Sequence, residues 1–284
     1  MPSTPASPRS TPVRLRAPAC VADDGQAGPR GLAIIEHWLA RTALQADYTR
    51  RPHSIGEAAH LDDMLKACAD ADVLVLASDA VPFPGWAAQL VASAARDPAI
   101  ATATPWCNAG ETASWPRVGE VMPVPTEPER LARAAASLPP HHPELLAAVN
   151  HAVFLRGSAR RKAGGLDTAS YASSYAALVD LSLRMAGLGW RNVLCETAFV
   201  ARCGEGVPQG DDVETLGVRW PAWHVRLAQF LMHDPLHALR ESLGHAYENT
   251  PLDSAELRTQ PDLFAEDASG PEASRAGIID DSDV

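Results

Sequence analysis

The run Val73-Leu74-Val75-Leu76-Ala77, ending in Ser78-Asp79-Ala80 and continuing Val81-Pro82-Phe83-Pro84-Gly85-Trp86, decides the architecture. Consecutive aliphatic residues without alternation read as a strand buried on both faces, as in a parallel sheet. A small residue and a carboxylate stop the strand, and two prolines and a glycine turn the chain. Ligands of open α/β sheets sit at the carboxyl ends of strands. An acid delivered there can hold a divalent cation against a phosphate. It can also be a plain turn aspartate.

Outward from this strand, apolar spacing predicts a short strand at 18–22 and helices over 32–44, 58–69 and 86–95. A second strand is expected at 100–104, then an irregular stretch over 105–125, long enough to suggest a functional loop. Further along, a helix over 127–137, a strand over 147–155, a helix over 173–188 closed by Gly189, a strand over 192–201 and mostly helix over 221–247 complete the pattern. Strands alternating with helices indicate an α/β layer architecture with a mixed, mainly parallel sheet.

The chain has 284 residues and a net charge of −11, which argues against a nucleic-acid partner. No apolar run approaches the roughly 20 residues of a membrane span. Five cysteines with no CxxC spacing read as reduced thiols of a cytoplasmic protein. Residues 1–17, rich in Pro, Ser and Arg, are expected to form a flexible arm, and residues 251–284 an acidic disordered tail. Between them lie an α/β domain, 18–215, and a helical segment, 216–250.

Several segments then fall in a known order. Val21-Ala22-Asp23-Asp24-Gly25-Gln26, Leu76-Ala77-Ser78-Asp79-Ala80 and Pro84-Gly85-Trp86 are followed by Thr104-Pro105-Trp106-Cys107-Asn108-Ala109-Gly110-Glu111 and Ser114-Trp115-Pro116-Arg117. Gly164-Gly165-Leu166-Asp167, Asp180-Leu181-Ser182-Leu183-Arg184 and Gly189-Trp190-Arg191-Asn192-Val193-Leu194 complete the series. Over residues 20–205 this resembles the family 2 glycosyltransferases of GT-A fold, in the bacterial branch related to rhamnosyltransferases and O-antigen enzymes. The resemblance implies a GT-A-like fold and transfer of a sugar from a nucleotide-sugar donor to a polysaccharide or protein acceptor. It implies that Asp23 and Asp24 contact the nucleotide, that Ser78 and Asp79 form the local metal motif, and that Asp79 ligates Mn2+ or Mg2+. The expected location is the cytoplasm, with peripheral contact at the inner membrane face as the extension.

Three departures qualify the chemistry. The family's adjacent acids, which include its general base, fall on Ala177 and Leu178; Asp180, next along the helix, is the remaining candidate base or else pairs with Arg184. A metal-binding histidine falls on Arg202, which cannot ligate a cation but could contact a phosphate. The family's Thr-Gly-Val-Gly falls on Ala147-Ala148-Val149-Asn150, and a first strand and helix expected before Asp23 have no counterpart. The alternative is therefore a degenerate relative acting as a binding or scaffold partner of another protein.

Other residues carry two readings each. Asp23-Asp24-Gly25 is a good turn in its own right. Trp106 and Trp115 suit either an acceptor cleft or the core. His233 and His237 have metal-compatible spacing but lack a zincin glutamate, which favours packing. Arg156, Arg160, Arg161 and Lys162 read as a solvated turn or as an anion-binding patch.

Overall fold

Apolar residues that alternate along one strand must cover both faces of a sheet. Along β6 (Ala152–Leu155), Val153 and Leu155 pack with Leu178, Leu181 and Met185 of helix α6 (Ser174–Gly187), while Phe154 packs with Leu90 and Ala94 of α3 (Trp86–Arg96). The computed structural model describes residues 18–252 of the chain. The N-terminal arm, and the tail beyond residue 252, lie outside the described residues.

β6 belongs to a five-stranded sheet of order β3-β6-β5-β7-β4, with β3 at Val73–Leu76, β4 at Ala80–Pro82, β5 at Ile100–Trp106 and β7 at Arg191–Arg202. The sheet is mixed, and β3, β5 and β7 share one direction. Antiparallel β6 lies between β3 and β5, and antiparallel β4 borders β7, so only the β5–β7 contact between neighbours is parallel. Every residue of β5 is buried. The buried indole of Trp106 sits in a second core with Leu131 of α4 (Pro128–Ala136), Phe230 of α8 (Trp223–His233) and Leu243 of α9 (His237–Asn249).

A separate two-stranded parallel sheet pairs β1 (Ala19–Asp23) with β2 (Ala46–Arg50) across α1 (Pro29–Arg41). It shares no ladder with the larger sheet, so β3 has a strand partner on one side only. That explains a difference from expectation: none of Val73–Leu76 is buried, and Leu76 is 38% exposed. A strand needs neighbours on both edges and layers on both faces before its side chains are enclosed.

Helix α2 (Glu57–Ala67) connects the small sheet to the rest, with the Ala58 N–H donating to the Ala172 carbonyl at 3.1 Å and Asp62 accepting from the Leu166 N–H at 3.3 Å. Half of the basic cluster is structural, while Arg161, paired with Asp70, and Lys162 are exposed to solvent. Arg156 donates to the Ile100 and Ala94 carbonyls, buried Arg160 reaches the carbonyls ending α2, and both flank or lie in α5 (Gly157–Ala163). Gly157 is required there, since a Cβ would stand 2.0 Å from the Asp70 carbonyl oxygen. Helix α7 (Asp212–Arg219) precedes α8, and the helical stretch expected over 221–247 is broken at Asp234, whose backbone is left-handed. Among the described residues, no helix is long and apolar enough to cross a membrane.

Candidate functional site

Ser78 and Asp79 form the turn between β3 and β4, and the β4–β7 ladder sets Ala80 opposite Arg202. This register brings the two charged side chains together: Arg202 Nε donates to Asp79 Oδ2 at 2.7 Å. Arg202 Nη1 donates to Asn150 Oδ1 at 2.8 Å, and Asn150 Nδ2 donates to Ser174 Oγ, at the start of α6, at 3.1 Å. The Ser174 hydroxyl donates to Glu57, which also accepts from Gln209 Nε2 at 3.1 Å. Asn108 fixes the end of β7, accepting from the Arg202 N–H at 2.8 Å and donating to its carbonyl at 2.9 Å. The Arg202 side chain is 6% exposed and that of Asp79 32%. Ser78 is exposed on the same turn.

Asp23 and Asp24 close β1, and their carboxylates organise loops. Asp23 accepts from the Gln26 and Ala27 N–H groups at 3.0 and 3.2 Å and from the Tyr48 hydroxyl at 2.9 Å. Asp24 accepts from the Ser54 hydroxyl at 2.5 Å and from the Ile55 and Gly56 N–H groups. Burial opposes ionisation of both, but these donors outweigh it and hold both carboxyls below the usual range. Glu57 follows directly on the loop that Asp24 ties down. The Asp24 turn is thereby connected through Glu57, Ser174, Asn150 and Arg202 to Asp79.

Asp180, the candidate base, is fully buried and held on every side. Arg184 Nε donates to it at 2.8 Å, Trp220 Nε1 at 2.9 Å, and Arg219 Nε lies 3.1 Å away. With two guanidinium groups and an indole around it, an acceptor hydroxyl has no path to this carboxylate; its role is structural. Ala177 and Leu178 are buried in the core as well.

A carboxylate that pattern reading passed over is better placed. Glu111 opens a short 3-10 turn after Gly110 with φ +49°, a conformation uncommon outside glycine. It accepts from the Tyr175 hydroxyl at 2.9 Å, one residue from Ser174. Burial raises the Glu111 carboxyl, Tyr175 opposes the shift, Glu205 adds to it, and the net direction is upward. His151, adjacent to Asn150, is buried; burial and then the Arg202 charge lower it to about 3 against a raising contact with the Pro105 backbone, so it is neutral. Trp106 is in the core, while Trp115 donates to the Arg240 carbonyl at 3.3 Å and packs edge-on against Tyr247. His233 bonds its own helix at the Gln229 carbonyl, and exposed His237 lies 3.8 Å from Asp234.

A divalent cation at Asp79 would want about six ligands, predominantly oxygens, at roughly 2.0–2.6 Å. The described residues supply little of that shell by themselves, so a bound diphosphate and water would have to give most of it. Arg202 already occupies Asp79 Oδ2, and the described residues contain no group of three His, Cys, Asp or Glu side chains able to hold a metal.

No protein-family model matches the chain, and no curated protein matches it. Solved structures do. GalNAc-T7, crystallised with UDP, GalNAc and Mn2+, superposes with a TM-score of 0.51 at 12% identity, over 79% of this chain and 48% of its own. The fold is that of the GT-A glycosyltransferases. The chain spans about half the length of GalNAc-T7. The mannosyltransferase PcManGT from Pyrobaculum calidifontis, in complex with GDP-Man and Mn2+, gives 0.47 at 15% identity, over 84% of this chain and 68% of its own.

Two predictions test these assignments. Asp180→Asn removes the partner of two arginines and should lower unfolding free energy by about 3–5 kcal/mol in urea denaturation; a change below about 0.5 kcal/mol contradicts the structural role. Because the folded-state pKa of Glu111 is raised, its protonated form favours folding at acid pH, and that stability is lost as pH rises through the raised value. Glu111→Gln should therefore raise Tm by about 2–4 °C at pH 8, with the gain vanishing toward pH 4. A gain independent of pH would refute the assignment.

Proposed function

We propose that this GT-A-fold chain binds a nucleotide-sugar donor and transfers its sugar to a polysaccharide or protein acceptor. One observation carries the reading: the carboxyl ends of β3 and β7 deliver Asp79 and Arg202 into a single hydrogen-bonded network with Asn150, Ser174 and Glu57. Carboxyl ends of strands are where α/β sheets place ligands. In glycosyl transfer the acceptor oxygen forms a bond to the anomeric carbon, the bond to the nucleoside diphosphate breaks, and the acceptor proton passes to a base. Arg202 is suited to the departing diphosphate by charge-assisted hydrogen bonding.

Glu111 is suited to the proton. Its raised pKa brings it toward the working pH, where a general base is most effective, and the Tyr175 hydroxyl orients it. The inverting course, the family 2 relationship and a setting at the inner membrane face follow from the sequence resemblance and belong to the same proposal. Ser78, Asp23 and Asp24 enter it as residues that shape the donor side of the site, the aspartates through the loops they cap.

A second reading, a non-catalytic relative that binds a protein partner, is favoured by Ala177 and Leu178, which put core side chains where the resemblance places acids. Incubation with UDP-, GDP- and dTDP-sugars, followed by chromatography of released nucleotide, separates the two. The enzyme reading expects turnover that Glu111→Gln lowers by about 10²–10⁴-fold while donor Kd stays within about twofold. Absence of turnover from every sugar nucleotide overturns the enzyme reading, and absence of all donor binding as well leaves only the second.

A further inference from the structure

We propose that the guanidinium of Arg202 takes the place of a divalent cation, so that a nucleoside diphosphate binds at the β3–β7 end of the sheet without metal. The inference deepens the donor-binding reading above and rests on it.

Three features of the site point this way. The first is occupancy: Asp79, the carboxylate that the sequence pattern offers to a metal, spends Oδ2 on Arg202 Nε at 2.7 Å. The second is orientation. Arg202 is clamped through Nε by Asp79 and through Nη1 by Asn150, and its backbone is fixed on both N–H and carbonyl by Asn108. Nη2 has no acceptor among the described residues. A planar guanidinium held on two of its nitrogens presents the third as a pre-set donor for an anionic oxygen.

The third is space and charge. Chain closely covers the pair: a Cβ on Gly204 would stand 2.7 Å from Asp79 Oδ2, and one on Gly206 would stand 2.6 Å from Arg202 Nη1 and 2.2 Å from Asn150 Oδ1. Only glycine at these two positions lets the chain pass so near the pair. The neighbouring His151 is buried and neutral, so of the two it is the guanidinium that carries a fixed positive charge in this corner. A cation beside it would meet repulsion from the guanidinium, set against attraction from Asp79 and Glu57. Asp79 on this account positions Arg202 and holds it in the binding conformation; it does not ligate a metal.

The test uses the full chain and titration calorimetry with UDP and with GDP, each in EDTA and in 2 mM MnCl₂ (about millimolar free cation, far above typical site affinities). The inference expects Kd to agree within about twofold between EDTA and Mn2+. Arg202→Gln should weaken binding by at least about tenfold, and Arg202→Lys, which keeps the charge and loses the fork, should recover part of it. Asp79→Asn, which loosens the clamp on Arg202, should weaken binding about threefold or more and by the same factor in EDTA and in Mn2+; it is the second variant if Arg202→Gln fails to fold. A gain of tenfold or more with Mn2+ that Asp79→Asn abolishes overturns the inference while leaving donor binding intact. No binding of either nucleotide in either condition overturns the donor-binding reading and this inference together.

Discussion

The contact between the Asp79 carboxylate and the Arg202 guanidinium is the constraint on which the rest of the site depends. It ties the turn after β3 to the last residue of β7, two segments joined otherwise by the three-residue β4 ladder. From Arg202 the network runs to Asn150 ahead of β6, to Ser174 at the start of α6 and to Glu57 at the start of α2. Five segments of the chain are thus held in register by side-chain hydrogen bonds. Because Arg202 is buried and Asp79 only partly so, loss of the acid would leave a desolvated cation, the more costly half of the pair to orphan.

Charge placement is the second consequence of the pair, on the metal-free reading proposed above. Here the positive charge is covalent, part of the strand, and present before any ligand arrives. A preset charge requires no recruitment, and its position is fixed by the fold. Once spent on a neighbouring carboxylate it is also weaker than a bare divalent ion, which suits recognition of a diphosphate more readily than forceful polarisation of a leaving group.

Much of the architecture was legible because burial leaves a strong mark on sequence. β5, β7 and α6 are enclosed along most of their length, and their apolar content announced them. β2, Ala-Asp-Tyr-Thr-Arg, was not, because it lies in a small sheet with little apolar face, and β4 is three residues long and ends in proline. The expected burial of Val73–Leu76 failed for a topological reason that no local pattern encodes, the lack of a second neighbour. At the site, Asp79 was read from its place at a strand end, and Arg202 from its alignment with a histidine. Glu111 was missed as a chemical group because its surroundings come from Tyr175, 64 residues on, and its own stretch is an irregular loop without periodicity. Of the two readings of Asp180, the pairing with Arg184 four residues on was visible and holds, but Trp220 and Arg219, which complete its enclosure, are distant in sequence.

The central claim is that Asp79 and Arg202 act as one unit, and a double-mutant cycle measures that directly. Unfolding free energies of wild type, Asp79→Asn, Arg202→Gln and the double variant give the coupling between the two side chains. A partly buried, hydrogen-bonded pair predicts a coupling of about 1–3 kcal/mol. A coupling below about 0.3 kcal/mol would mean that the two groups are independent, and would contradict the account.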